Sequence, residues 1–225
     1  MDVRGSNPLA PRCSVIDRLF FNPHTYPMTL ADKVTSVRLL LAPFFFAVYL
    51  LPSAQTHQWV PAFLKDPRWT VPVLWGLFIV SEITDLLDGK IARSRQEVSD
   101  FGKLFDPFAD VMVRITYFLC FVIDGILPAA LLLVVLYREL GIQFLRNLMM
   151  KKKVVLGARW GGKVKAFAYM IAGAAALLAS SVQRLEIEGP AFQTLRTAAA
   201  VIFFISVILA VTSFMDYLQV YRKTE

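Results

Sequence analysis

Cysteine and histidine are scarce in this chain of 225 residues, which contains two of each. Cys13 lies in a polar N-terminal segment and Cys120 lies in the middle of an apolar run, so we expect no disulfide between them. His24 and His57 stand alone, without the paired spacing that zinc sites use. The scarcity of both residue types speaks against a zinc or copper centre.

Charged residues are also sparse, at 18% of the chain, whereas 56% of the residues are hydrophobic and 18 are Phe. Several apolar stretches approach the ~20 residues that a bilayer-crossing helix needs. They are 34–51, 71–91, 105–123, 126–147, 164–182 and 197–217. None of them alternates apolar and polar residues as the strands of a membrane barrel do. The sequence therefore predicts an all-α, polytopic membrane protein with six transmembrane helices.

The first 28 residues contain no apolar core followed by a small-residue cleavage site, so we expect no cleavable signal peptide. We interpret residues 1–28 as a cytosolic or interfacial segment. Within it, VIDRLFF has the composition of a short interfacial helix, and an ordinary tail is the equal alternative. Residues 29–225 show no internal repeat, and we interpret them as one domain of six transmembrane helices.

The net charge of +7 is concentrated in two links between predicted helices. The basic residues of these links are Lys90, Arg93, Arg95 and Lys103 after the second span, and Lys151, Lys152, Lys153, Arg159, Lys163 and Lys165 after the fourth. Cytosolic loops of membrane proteins are enriched in Lys and Arg, so we expect both links in the cytosol. The turn Asp124-Gly125 has neither residue and is expected outside, which places both termini in the cytosol. The expected location is a bacterial inner or cell membrane, and no nucleic-acid partner is expected.

Four aspartates, in two pairs, fall within the stretch DLLDGKIARSRQEVSDFGKLFDPFAD. Asp85 and Asp88 are three residues apart, and Asp106 and Asp110 are four apart, so each pair lies on one face of a helix. The preceding run, 71–84, is nearly uncharged, so the first pair ends a membrane helix. Ionisable groups in such a place are costly and usually functional. We therefore expect the two pairs to form an acidic site that binds something cationic.

Carboxylate oxygens without a nearby His or Cys favour the hard cations Mg²⁺, Mn²⁺ or Ca²⁺. Four aspartates neutralise two divalent ions, and a two-metal site that clamps phosphoryl oxygens is a common use of such a cluster. The alternative from another class is an ion-coupled transporter, whose intramembrane carboxylates carry protons or cations. A cation carrier has little need of the small and basic residues that surround the acids, which are Gly89, Ala92, Arg93 and Gly102. These residues favour the enzyme.

Basic residues occur again in the fourth span and at the start of the fifth helix: Arg138, Arg146, Lys163 and Lys165. They supply more positive charge than Glu139 can neutralise, which predicts a pocket for an anionic substrate. The alternative is that they pair with Glu139 or with the aspartates. Arg38 in the first span is also open to two interpretations, a role in the site or extension of its side chain to the membrane surface.

The spacing Asp85-x2-Asp88-Gly89-x2-Ala92-Arg93-x8-Gly102-x3-Asp106-x3-Asp110 matches, without departure, the signature of the CDP-alcohol phosphotransferase family. Because fixed residues at fixed gaps rarely coincide by chance, this pattern is specific. The chain resembles the family from about Leu30 to its C-terminus. The resemblance implies six membrane helices, a site on the cytosolic side and a homodimer within the membrane lipids.

The resemblance also implies a role for each matching residue. Asp85, Asp88, Asp106 and Asp110 would hold Mg²⁺ or Mn²⁺, as two ions, and Asp110 would also take the proton of the acceptor hydroxyl. The residues that would bind the CDP group are Gly89, Ala92, Arg93 and Gly102, together with Thr35.

Within the family, the chain is most similar to members that transfer a phosphatidyl group from CDP-diacylglycerol to glycerol 3-phosphate and release CMP. The similarity rests on Arg138-Glu139 followed by Arg146, and on the sequence Gly162-Lys163-Val164-Lys165. Together with the excess of positive charge, it predicts that the acceptor phosphate is bound by Arg138, Arg146, Lys163 and Lys165. The chain departs from these members at Asp32, Ala166 and Tyr169, and inositol phosphate, serine or another alcohol stay open as acceptors.

Overall fold

The computed structural model describes residues 30–52, 61, 64–95, 102–151, 160–187 and 189–223. Side chains at a few helix ends, including 86–95 and 160–163, lie outside this description. Within these ranges the regular structure consists of six α-helices and a 3₁₀ turn, Pro67–Trp69. The helices are α1 (Leu30–Leu50), α2 (Thr70–Arg95), α3 (Gly102–Ile123), α4 (Ala129–Lys151), α5 (Trp160–Arg184) and α6 (Pro190–Lys223). Each coincides with one of the predicted spans, so the all-α prediction is confirmed.

Three of these helices are long and apolar enough to cross a membrane by length and composition: Asp32–Leu50 of α1, Val164–Arg184 of α5 and Pro190–Arg222 of α6. α3 and α4 are more polar because each carries ionisable residues of the candidate site. These are Asp106, Asp110 and Arg114 in α3, and Arg138, Glu139 and Arg146 in α4. The chain is a multi-pass membrane protein.

The bundle consists of two groups of three helices. α1 packs along α2 and α3, and α6 packs along α5 and α4. The groups meet where α3 contacts α4 and α5, and where α2 contacts α5. Aromatic rings fill the centre, with ring centroids 4.5 Å apart for Phe45 and Tyr117 and 4.6 Å apart for Phe118 and Phe203. This core fixes how α1 and α3 sit relative to α5 and α6.

Small residues let the helices approach one another closely. Ala172, Ala176 and Ala179 of α5 are fully buried on the face that belongs to the core. Gly173, beside them, lies against the ring of Phe78 in α2, where a Cβ atom would come within 3.1 Å of the ring. Membrane helices associate through such close contacts because lipid offers no hydrophobic driving force between them.

The outer surface of the bundle is apolar. Large side chains that point outward include Leu40, Ile79, Phe144, Phe204 and Tyr137, and all of them are at least 48% exposed. A soluble protein rarely exposes an apolar surface of this extent. It fits a surface that faces lipid acyl chains.

One end of the bundle is closed by a polar cluster, and we call it the closed end. The turn after α3 places Gly125 at φ 68°, and the Tyr49 hydroxyl donates to Oδ2 of Asp124 at 2.6 Å. Arg184 at the end of α5 donates to the carbonyl of Tyr49 at 3.0 Å and to the hydroxyl of Thr70 at 3.1 Å. These bonds tie together the end of α1, the start of α2, the turn after α3 and the end of α5.

Candidate active site

At the opposite end, which we call the site end, α1, α3 and α5 begin and α2, α4 and α6 end. Arg38 of α1 donates through Nη1 to Oδ1 of Asp85 in α2. Its Nη2 donates to Oδ1 of Asp110 in α3 at 2.6 Å. One turn earlier on α1, Thr35 Oγ1 donates to Oδ1 of Asp106 at 2.8 Å. One face of α1 therefore binds carboxylates of both α2 and α3. The spacing of the two aspartate pairs predicts that carboxylates of these two helices lie close together.

Arg38 is a buried counter-ion of the site, since it is only 2% exposed. This excludes the alternative in which its side chain extends to the membrane surface. The carboxylates that it bridges stay partly open, with 39% of the Asp85 side chain and 34% of the Asp110 side chain exposed. One guanidinium against two carboxylates leaves the cluster with a surplus of negative charge, which favours a further cation.

Other residues of the predicted acidic and nucleotide site fall partly outside the described side chains. α2 continues as a helix to Arg95, so the backbone at Asp88, Gly89 and Ala92 has the helical spacing that the sequence predicted. The side chains of Asp88, Ala92 and Arg93 lie outside the described residues. Gly102 is the first residue of α3 and is buried.

A second polar cluster joins α4 to α5 and α6. Oε1 of Glu139 accepts from Nη1 of Arg138 and from Nζ of Lys165, each at 2.8 Å. Arg138 also donates from Nε to the carbonyl of Ala210 in α6 at 3.0 Å. Pairing with Glu139, the alternative weighed for these bases, is therefore the arrangement that Arg138 and Lys165 adopt. Two cations on one carboxylate still leave the trio with a net positive charge.

A cavity of about 260 Å³ connects the acidic and basic clusters. Asp85 and Asp110 lie on its acidic side. The basic residues in its wall are Arg114, Arg138, Arg146 and Lys165. Pro107, Gln143 and Tyr217 complete much of the lining, and Gln143 Nε2 donates to the carbonyl of Pro107 at 3.1 Å across α4 and α3. A ligand in this cavity would contact carboxylates and guanidinium groups at once.

Two cations of this wall rest on aromatic rings. The guanidinium carbon of Arg114 lies 5.2 Å from the ring centroid of Tyr169, and that of Arg146 lies 6.0 Å from the ring of Tyr217. Both distances are within the range of cation–π attraction. Within the helices that the structure describes, neither arginine forms an ion pair.

A smaller cavity of about 30 Å³ lies deeper in the bundle, beside Asp110. Its polar lining comes from Arg38, Ser81, Glu82, Asp85, Asp110, Arg114, Tyr117 and Tyr169. The hydroxyl of Tyr169 is buried and has no hydrogen-bond partner among the described residues. Arg114 borders both cavities, so it connects the deep part of the site with the wide one.

The structure brings together many of the residues that the sequence pattern singled out, and it adds others. Three predicted aspartates, Thr35 and three of the four predicted basic residues come together, whereas Lys163 lies outside the described side chains. Arg114, Glu82 and Gln143 were missed. Arg114 had a signal, because it follows Asp110 by four residues and so shares its helix face.

The donor chemistry of the acidic cluster fits a hard divalent cation. All of its side-chain donors are carboxylate and hydroxyl oxygens, the ligands that Mg²⁺ and Mn²⁺ prefer. Among the described side chains, which do not include Asp88, no three acidic, His or Cys groups lie close enough to hold a metal ion. The residues present therefore fit the cation by ligand type and by their surplus of negative charge.

A membrane-embedded helical bundle in which carboxylates and arginines share one cavity has the arrangement of an enzyme that acts on phosphate groups. The sequence profile of the family described as CDP-alcohol phosphatidyltransferase matches residues 28–212. The chain belongs to this family and is a transferase of phospholipid biosynthesis.

Curated relatives agree with this assignment. The chain is 37% identical over 195 residues to a CDP-diacylglycerol–glycerol-3-phosphate 3-phosphatidyltransferase of Treponema pallidum, covering 86% of this chain and 89% of the relative. It is 33% identical over 151 residues to the Bacillus subtilis protein of the same name, covering 66% and 76%. It is 30% identical over 188 residues to a probable phosphatidylglycerophosphate synthase of Mycobacterium tuberculosis, covering 84% and 79%.

Proposed function

We propose that this enzyme transfers the phosphatidyl group of CDP-diacylglycerol to glycerol 3-phosphate, forming phosphatidylglycerophosphate and CMP. The observation that carries the proposal is the cavity shared by Asp85 and Asp110 on one side and by Arg138, Arg146 and Lys165 on the other. A diphosphate that approaches the acids and a phosphorylated alcohol that approaches the bases would meet there. The names of the relatives support the same pair of substrates.

The reaction is a displacement at phosphorus. The acceptor hydroxyl attacks the phosphorus that carries the diacylglycerol, the bond from that phosphorus to the CMP oxygen breaks, and CMP leaves. Asp110 is the proposed base that takes the hydroxyl proton, because its carboxylate faces the cavity. The bond from Arg38 fixes the position of that carboxylate.

Other residues would bind and orient the CDP-lipid. A pair of Mg²⁺ or Mn²⁺ ions, held by Asp85, Asp88, Asp106 and Asp110, would supply neutralisation of the diphosphate charge. Gly89, Ala92, Arg93 and Gly102 are proposed to contact the CDP group. Thr35 already donates to Asp106, so its proposed role is to orient that carboxylate.

The acceptor is proposed to be anionic because of the charge of the cavity wall. Arg138 and Lys165 share one carboxylate, and Arg146 makes no ion pair within the described helices. Lys163 is proposed to add to this charge. The phosphate of inositol phosphate would bind the same basic residues, and the carboxylate of serine would bind fewer of them. Choline, which is a cation, would be repelled.

The experiment offers purified full-length protein radiolabelled CDP-diacylglycerol with each acceptor in turn, and the lipid product is identified. Glycerol 3-phosphate is expected to give phosphatidylglycerophosphate. Product with choline or free inositol, but none with glycerol 3-phosphate, would contradict the proposed acceptor and leave the family assignment intact. Omitting divalent metal, with chelator present, is expected to abolish product.

A further inference from the structure

Arg114 stands out when the charges around the cavity are assigned to partners. Arg38 is bonded to Asp85 and Asp110, and Arg138 and Lys165 are bonded to Glu139. Every acid of the cavity wall thus has a basic partner. Among the described residues, the cations of the wall that form no ion pair are Arg114 and Arg146. These two guanidinium groups are therefore available to form ion pairs with an incoming anion.

The position of Arg114 relative to Asp110 suits it to binding the acceptor. It follows Asp110 by four residues on α3, a rise of about 6 Å along the helix axis. Glycerol 3-phosphate carries its reacting hydroxyl and its phosphate at opposite ends of a three-carbon chain, a separation of similar size. A hydroxyl at Asp110 would therefore bring the phosphate near Arg114.

An aromatic ring orients the guanidinium of Arg114, and no described carboxylate forms an ion pair with it. The ring of Tyr169, which is only 1% exposed, lies under the guanidinium group at 5.2 Å. A ring leaves the in-plane N–H groups free to donate, and a guanidinium binds phosphate through two parallel hydrogen bonds. Lys165 Nζ lies 5.3 Å from the centroid of the same ring, so both cations are within reach of Tyr169.

We propose that Arg114 binds the phosphate of the acceptor together with Arg146 and thereby selects phosphorylated alcohols. The proposal rests on the proposed function and adds a residue that the signature does not contain. Arg138 and Lys165 keep the net positive charge of the same wall, and their bonds to Glu139 hold α4 against α5.

The test compares Arg114→Gln and Arg114→Lys in full-length protein purified in detergent, with kinetics for both substrates. Arg114→Gln is expected to raise KM for glycerol 3-phosphate about ten- to a hundredfold, the effect of losing a charged hydrogen-bonded contact, and to leave KM for CDP-diacylglycerol unchanged. Arg114→Lys keeps the positive charge, and its KM for glycerol 3-phosphate is expected to lie between those of the wild type and Arg114→Gln. The matched control is Arg196→Gln, which removes an exposed arginine near the turn at Gly125 and is expected to change neither constant.

Binding is also measured without turnover, as the rise in melting temperature that inorganic phosphate causes. The wild type and Arg196→Gln are expected to show this rise, and Arg114→Gln is expected to lose most of it. An unchanged KM for glycerol 3-phosphate with an unchanged response to phosphate would overturn the proposal. An equal rise in KM for both substrates would also overturn it, because it would assign Arg114 to the CDP-lipid or to the fold. If the wild type makes no phosphatidylglycerophosphate, the proposed function fails, and the phosphate response still decides whether Arg114 binds an anion.

Discussion

Asp110 occupies the point where the two halves of the proposed reaction meet. It borders both cavities, accepts a bond from Arg38 and lies on the same helix face as Arg114. Asp85 is the other described aspartate of the wide cavity, and it has no arginine one turn away on its own helix among the described side chains. This position suits a base that must reach an acceptor hydroxyl.

Asp110→Asn tests that role, because the amide keeps the size of the side chain and removes its basicity. Loss of a general base is expected to lower turnover by about 10²–10⁴-fold. The measurement is CMP release by purified variant at saturating CDP-diacylglycerol and metal, with binding of the CDP-lipid measured separately. Binding is expected to persist. CMP release near the wild-type rate would remove Asp110 from the mechanism.

The sequence could not predict whether the side chain of Arg38 enters the site. Its place near the start of an apolar helix fits both a side chain that extends to the membrane surface and one that enters the site. The choice depends on how α1 is rotated against α2 and α3, and that rotation is fixed by distant contacts such as Phe45 with Tyr117. The aspartate pairs were predictable because their spacing within single helices sufficed.

The acceptor residues show a second limit. The sequence predicted a surplus of bases, and the surplus exists, but it did not reveal which bases are already paired. Glu139 takes Arg138, its direct neighbour in the chain, and Lys165, which is 26 positions away. Such a long-range pair depends on α5 packing beside α4, so no local pattern reveals it.

At the scale of helices, apolar runs predicted every α-helix of the described chain, and only the ends differ. α6 was expected over 197–217 and extends over Pro190–Lys223. Hydropathy marks the part of a helix that lies in the hydrocarbon layer, whereas the backbone hydrogen bonds continue into the headgroup region. Each predicted run is therefore shorter than the helix to which it corresponds.

The contact between α2 and α5 depends on Gly173, which has no side chain to keep the two helices apart. A Cβ at Gly173 would meet the Phe78 ring at 3.1 and 3.3 Å, and both residues border the smaller cavity. Gly173→Ile is expected to cost about 1–3 kcal/mol of unfolding free energy through overpacking, and to lower activity by moving α5 at the site. The measurement is thermal unfolding in detergent alongside CMP release.

Gly76 provides the matched control for this prediction. It lies in α2, is exposed, and a Cβ there would meet nothing within 4 Å. Gly76→Ile is expected to leave both the melting temperature and the activity close to wild type. Equal losses in the two variants would show that the contact with Phe78 is not what holds α2 against α5.

The whole molecule has two unlike ends. At the closed end, Arg184, Asp124 and Tyr49 bond to one another and to neighbouring helices, which leaves a satisfied structural cluster. At the site end, partly exposed carboxylates and unpaired arginines line a cavity. The charged side chains that line a cavity thus lie at the end where the lysine-rich links join the helices. These cavity-lining charges lie at the end of the bundle where the proposed reaction takes place.

The orientation of these ends in the membrane is the last prediction. Both lysine-rich links join helices at the site end, and cytosolic loops carry the excess of Lys and Arg, so the site end is expected to face the cytosol. Single cysteines test this in an active variant that lacks Cys13 and Cys120. Gln55→Cys, between α1 and α2, and Glu186→Cys, whose side chain is 71% exposed at the closed end, are expected to react with an impermeant maleimide on intact cells. Lys152→Cys, after α4, is expected to react only once the membrane is permeabilised. The reverse pattern would place the proposed site outside the cell, where cytosolic substrates do not reach it, and would contradict both the orientation and the supply of substrate that the proposed reaction needs.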